Sequence, residues 1–293
     1  MYEDIKKNKI KTGIIVCGFI LMVTLIIYFV CMAFDLGIFS IVFALIFSII
    51  SAYITYYNSD KIILSMNHAR PATHEEDQKL VNILDTLMIS AGFTYKPKLY
   101  VVEDSQPNAF ATGRNPEISV ICVTTGLLDK LNYYELEGVL AHEMAHIKNY
   151  DIRLSAVVTV MLGLIVMLSD MFSRWIFHSN KKDNNKGNGI LMLIGFILLI
   201  FAPIFGQLMQ LAISRRREYL ADATAIEFTR NPDGLISALE KLDADTEELE
   251  VANSSTAHMY IVCPLKDKKK KTSSLFSTHP PISDRIEAIK NLK

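Results

Sequence analysis

The stretch from Asn132 to Asn149, NYYELEGVLAHEMAHIKN, decides how the rest of the chain is read. Asn132 with Glu135 three residues on forms a capping-box pattern, so a helix opens at Tyr133 and runs to Asn149. Within it, His142-Glu143-Met144-Ala145-His146 is an HExxH pattern. Spacing i, i+4 puts both imidazoles on one face of the helix, where they can meet one zinc ion. Glu143 beside the first ligand can hold a water and take its proton as general base. With 7 His and 15 Glu in 293 residues, chance supplies about 0.009 such patterns per chain. The approach through Gly138, Val139, Leu140 and Ala141 is apolar, and two histidines and an acid are costly there without a ligand or partners.

A catalytic zinc takes three protein ligands and keeps one position open, so a third ligand is required. Glu218, in Arg217-Glu218-Tyr219-Leu220-Ala221-Asp222, is the candidate. Asp222 follows four residues later on the same helical face and can accept the free ring N–H of a ligand histidine. From spacing alone, an ordinary salt-bridge face among Arg215, Arg216 and Arg217 is the better account of this segment.

Working outward, 51% of the chain is hydrophobic against 21% charged, and the apolar residues are concentrated in blocks. Thr12–Phe34 and Leu36–Ser59 are uncharged runs of 23 and 24 residues, parted by Asp35, and each is long enough to span a bilayer. Leu154–Ser169, at 16 residues, is marginal and reads either as a span or as a buried core helix; Ile190–Ser214, at 25, is ample. The first block is too long for a signal-peptide core, lacks a small-residue cleavage site and is followed at once by a second span, so it reads as a retained anchor. A net charge of -1 provides no pervasive basic surface, and nucleic acid is excluded as the default partner. Cys17, Cys31, Cys122 and Cys263 form no CxxC pair, which argues against a disulfide framework or a thiolate site.

The expected organisation is a mainly α protein with a small β-sheet, passing the membrane several times. Residues 1–59 form an N-terminal hairpin (about 12–34 and 36–59), and 60–153 the first part of a catalytic domain. A second hydrophobic hairpin covers 154–214 (about 154–169 and 190–214), and 215–293 completes the catalytic domain. Helical periodicity is expected over Glu75–Ala91, stopped by Gly92, and strands over Lys98–Val102 and Ile118–Thr124. Pro107, Gly113 and Pro116 mark the stretch between those strands as turn-rich. Helices are expected at about Arg215–Thr229 and, after the break at Asn231-Pro232, through Leu242. Lys181–Gly189 reads as a flexible connector, Lys266–Lys271 as a solvated basic loop, and His68, His74, His178 and His258 as surface residues.

The order of motifs, HEMAH, then EYLAD beyond a hydrophobic hairpin, then His279-Pro280-Pro281 with Arg285, resembles the HtpX family of membrane-embedded zinc proteases over nearly the whole chain. More distantly, the zinc motif and the HPP box are similar to those of the prenylprotein (CAAX) endopeptidases. The resemblance implies a zincin-like (gluzincin) metallopeptidase domain holding one zinc ion, with His142, His146 and Glu218 as ligands and Glu143 as the catalytic acid/base. It further implies that Asp222 orients a ligand histidine, and that His279 and Arg285 stabilise the oxyanion or grip the substrate backbone. The alternative for that pair is structural: a turn-capping histidine, and an arginine paired with Asp284 or Glu287. Asn108 to Thr112 matches the family's edge strand, which can take up an extended peptide, Asn108 contacting its backbone.

One zinc held by His142, His146 and Glu218 requires these segments to lie on one side of the membrane, so 154–214 crosses an even number of times. Lysines before the first span, Lys61, Lys148 and Arg215–Arg217 place the catalytic unit on the cytosolic face of the cell membrane. The connector residues Arg174, Lys181, Lys182 and Lys186 run against that count. The expected activity is a membrane-bound zinc endopeptidase acting on polypeptides, unfolded or membrane proteins among them, in stress-related quality control of membrane proteins. The alternatives are a prenyl-protein or lipopeptide-type protease and a zinc-binding membrane protein without hydrolysis.

Overall fold

The computed structural model describes residues 2–33, 39–179, 215–245, 247, 249, 255–262 and 280–292. The expected span 190–214, the 181–189 connector, the 266–271 loop, Asp35, Cys263 and His279 lie outside the described residues.

Two long helices open the chain, α1 (Tyr2–Ala33) and α2 (Phe39–Tyr57), followed by the short α3 (Ser59–Met66). Next comes a two-residue strand, β1 (Arg70–Pro71), and then α4 (His74–Ala91), started by a full capping box at Thr73 and Glu76 and stopped at Gly92 in the left-handed region. Strands β2 (Lys98–Val102), β3 (Ala109–Asn115) and β4 (Ile118–Thr124) lead through α5 (Thr125–Lys130) to α6 (Tyr133–Lys148) and α7 (Asp151–Ser179). After the undescribed segment come α8 (Arg215–Thr229), α9 (Pro232–Ala244), a short 3₁₀ turn (Ala257–Met259) and α10 (Ile282–Lys290).

The sheet has the order β1-β2-β4-β3, with β2 and β4 parallel and both outer pairs antiparallel. Residue periodicity places β2 and β4 at their expected limits, but the turn-rich stretch between them holds a whole strand. Gly113, at φ 137°, is the reason: the β3–β4 register shifts between Gly113 and Asn115, and a Cβ on Gly113 would meet the Ile118 carbonyl oxygen at 2.2 Å. The residue that looks like a turn signal is a bulge inside a strand.

A single apolar cluster joins α4, one face of the sheet and α6, α8 and α9. Helix α6 lies at its centre and meets α9 at backbone distance, since a Cβ on Gly138 would come within 2.9 Å of Leu235 Cα and N. The start of α6 is pinned as well: Ser237 Oγ and Lys241 Nζ on α9 donate to the Glu135 carboxylate at 2.6 and 2.7 Å.

The apolar run beginning at Leu154 forms the first half of α7. Leu154, Val157, Val158 and Met161 are buried against Ile15, Phe19, Met22 and Ile26 of α1, so this portion is packed as a core helix is. Ala156 and Val160 face a third cluster with Phe110, Tyr260 and Ile63.

Among the described residues, Ile10–Tyr28 is long and apolar enough to cross a bilayer. A second such element exists if Ile41–Tyr57 and Ser59–Met66, bent by 70° at their junction, form one span. Helix α2 exposes large apolar side chains on nearly every side, Phe39, Phe43, Ile46, Phe47 and Ile50 among them, as a lipid-facing helix does.

The Gly138 contact yields a test. Gly138→Ala puts a methyl group against the α9 main chain, which no rotamer change relieves; the expected cost is about 1–3 kcal/mol, read as a lower melting temperature of the detergent-solubilised chain.

Candidate metal centre

Helix α6 presents His142 and His146 one turn apart with Glu143 between, and α8 brings Glu218 in its first turn and Asp222 one turn later. The His142 and His146 Nε2 atoms face each other at 3.2 Å, and the Glu218 carboxylate oxygens lie 3.7 and 3.6 Å from them. One ligand atom from each of the three residues falls within 4.8 Å of the other two. Two nitrogens bound at about 2.0–2.1 Å to one tetrahedral ion lie roughly 3.3 Å apart, so the two imidazoles and the carboxylate suit a zinc-like ion. The sequence brings these residues near each other in prospect; the packing of α6 on α8 does so in fact.

Behind the histidines stand carboxylates. His142 Nδ1 is 2.9 Å from Asp222 Oδ1, and His146 Nδ1 is 3.2 Å from Asp151 Oδ2. Each contact turns Nε2 toward the shared site and fixes the tautomer in which it carries a lone pair. Burial is the largest influence on His142 and acts to lower its pKa, but Asp222 and Glu218 together outweigh it and hold the imidazole up at about 9. Burial raises the Glu143 carboxyl above its ordinary value, with His142 and His146 pulling the other way.

Arg285 differs from what its motif implies. It is fully buried, and its guanidinium is spent on Asp222, with Nε to Oδ2 at 2.9 Å and Nη2 to Oδ1 at 2.7 Å, while Nη1 donates to the Ile261 carbonyl at 3.1 Å. Nor does it pair with Asp284 or Glu287. Burial alone would raise Asp222, yet the Arg285 charge brings its carboxyl down to about 2, so Asp222 is an anion and a strong acceptor for His142. Arg285 thus reaches the site through Asp222, which in turn contacts His142.

Asn108 also has a different occupant from the one expected. It is fully buried, its Nδ2 donates to the Val262 carbonyl at 2.9 Å and its Oδ1 accepts from Ala109 N–H at 3.1 Å, while Ile261 N–H donates to Ala109 O at 2.9 Å. A bent segment of the chain itself, 260–262, lies against the start of edge strand β3. His258, expected at the surface, is buried on the same segment, with Nε2 3.1 Å from Thr159 Oγ1 of α7. Together with Ala111, Ile152, Met259 and Ile261, it walls a small cleft that opens onto His142, Glu143, His146 and Glu218.

Sequence reasoning passes over Asp151 and puts His258 at the surface. The signal for Asp151 was an acid five residues beyond the second histidine, at the start of an apolar helix. His258 carried no motif.

Residues 74–293 match the model of peptidase family M48. The chain is 46% identical to a protease HtpX homolog of Dictyoglomus thermophilum, over 99% of this chain and 94% of that protein. It is 41% identical to a protease HtpX homolog of Listeria monocytogenes over the full length of both. Among solved structures it is similar to the crystal structure of S. mikatae Ste24p, with a TM-score of 0.52 and 21% identity over 99% of this chain and 67% of that one.

The Arg285–Asp222 pair can be tested by its energetics. Arg285→Met strands a buried carboxylate and should cost about 3–5 kcal/mol in unfolding, whereas adding Asp222→Asn should recover part of the loss. A simple additive loss in the double variant would contradict the pairing.

Proposed function

The chain belongs to peptidase family M48 and is a metalloprotease; from that premise we propose that it is a zinc endopeptidase of the cell membrane, with His142, His146 and Glu218 as metal ligands and Glu143 as acid/base. The observation that carries this is the convergence of those three ligand atoms within 4.8 Å beside a buried Glu143. When bound, zinc supplies a Lewis acid that acidifies water and polarises a carbonyl. Glu143, held two per cent exposed between the two histidines, accepts the proton of the attacking water and delivers it to the leaving amine nitrogen. Burial raises its pKa above the ordinary carboxylate value, which favours a group that must take a proton before returning it. Asp222 keeps His142 in the ligating tautomer throughout, and the walls of the cleft limit competing water.

The substrates are polypeptides, and the proposal extends to unfolded or misassembled membrane proteins handled in quality control. Supporting it, α7 begins at the metal centre and packs within its first turns against α1, whose Ile10–Tyr28 can cross a bilayer. We place 1–59 and 154–214 as the membrane portions, 60–153 and 215–293 as the two parts of the catalytic unit, and that unit on the cytosolic side by the lysine and arginine distribution.

The deciding experiment is cleavage of casein by the detergent-purified, zinc-loaded chain beside Glu143→Gln. The variant should retain one zinc per chain and lose at least about 10²–10⁴-fold in rate, the span typical of general acid–base catalysis. Glu218→Ala should lower zinc affinity. Undiminished cleavage by Glu143→Gln would overturn the assignment.

A further inference from the structure

The two ligand histidines are backed in the same way but in unequal surroundings. His142 leans on Asp222, which Arg285 seals inside the protein. His146 leans on Asp151, at Nδ1 to Oδ2 3.2 Å, and Asp151 Oδ1 in turn lies 3.4 Å from Arg217 Nη1. This second set borders the cleft, where Asp151 and Arg217 line the wall beside His146.

The backbone is bent to make that contact. Helix α6 ends with Asn149 N–H on the Ala145 carbonyl and Tyr150 N–H on the Ile147 carbonyl, and Tyr150 then adopts φ 59°, a left-handed conformation that side chains other than glycine seldom take. Asp151, the next residue, is thereby delivered to the ring of His146 and becomes the first residue of α7. A strained residue is retained where it places a carboxylate on a ligand.

We propose that Asp151 is a positioning residue for the metal: its carboxylate accepts the Nδ1 proton of His146, aims Nε2 at the ion, and is itself held by Arg217. The inference rests on His146 being a metal ligand. It adds that this ligand is oriented from the first turn of α7, the helix whose next turns are packed against α1.

The alternative is that Asp151 serves only as a favourable charge at a helix start and as a partner for Arg217. Two substitutions separate the roles. Asp151→Asn and Asp151→Ser lose the same charge and both suit a helix's first turn, but only asparagine retains an oxygen that reaches the imidazole. Zinc affinity of the full detergent-solubilised chain is measured by competition with a chromogenic chelator, alongside the melting temperature of the zinc-free chain. The expected result is a 10- to 100-fold loss of affinity for Asp151→Ser, a smaller loss for Asp151→Asn, and equal zinc-free melting temperatures for the two variants. Equal affinities in the two variants overturn the proposal, whether or not both fall below wild type. A wild-type chain that holds no zinc overturns the metalloprotease site itself, an outcome readily told apart from the other.

Discussion

The structure depends on the burial of an ion pair, Arg285 with Asp222, at a point where neither charge meets water. Stripping a carboxylate and a guanidinium of their hydration is costly, and the cost is met only when every donor finds an acceptor in good geometry. Here the guanidinium satisfies both oxygens of Asp222 and the Ile261 carbonyl, and Asp222 has His142 on its other side. Four elements meet there: α10 through Arg285, α8 through Asp222, α6 through His142 and the 260–262 segment through its carbonyl. The fold and the metal site are thus stabilised by the same few contacts, and the position of a ligand is set by the tertiary structure as a whole.

What could be read from the sequence was local. The i, i+4 histidines, the Asn132/Glu135 box, the Gly92 stop and the Asn231-Pro232 break each carry their physics within a few residues, and the helices lie where those signals put them. The strand β3 was concealed because a bulge glycine and a turn glycine look alike until the neighbouring strand fixes the register. The pairing of Arg285 with Asp222 was hidden because its partner is 63 positions away, and that of Asn108 with Val262 because its partner is 154 positions away. Charge and hydrogen-bond capacity are visible in a residue's name; who satisfies them over that range is decided by the packing of α6, α8 and α10.

Helix α2 follows a different rule, exposure in place of satisfaction. Tyr53, Tyr56 and Tyr57 cluster at the end of α2 where the chain bends by 70°, and the Arg114 guanidinium lies over the Tyr57 ring at 4.5 Å. Tyrosines at the foot of an apolar helix with a cation stacked on them are what a boundary between hydrocarbon and water selects. Arg114 belongs to β3, and Arg153 Nε of α7 donates to its carbonyl, so the edge of the sheet is fastened to the foot of α2.

The separation of Arg285 from His142 bears on the order in which the protein is made. The ribosome delivers residue 285 only after another 143 positions have followed His142. Until then Asp222 lacks its cation, and the support behind His142 is incomplete. A nascent chain already carrying both histidines is accordingly a peptidase in composition alone. The surroundings of the candidate metal centre are complete only with the docking of α10.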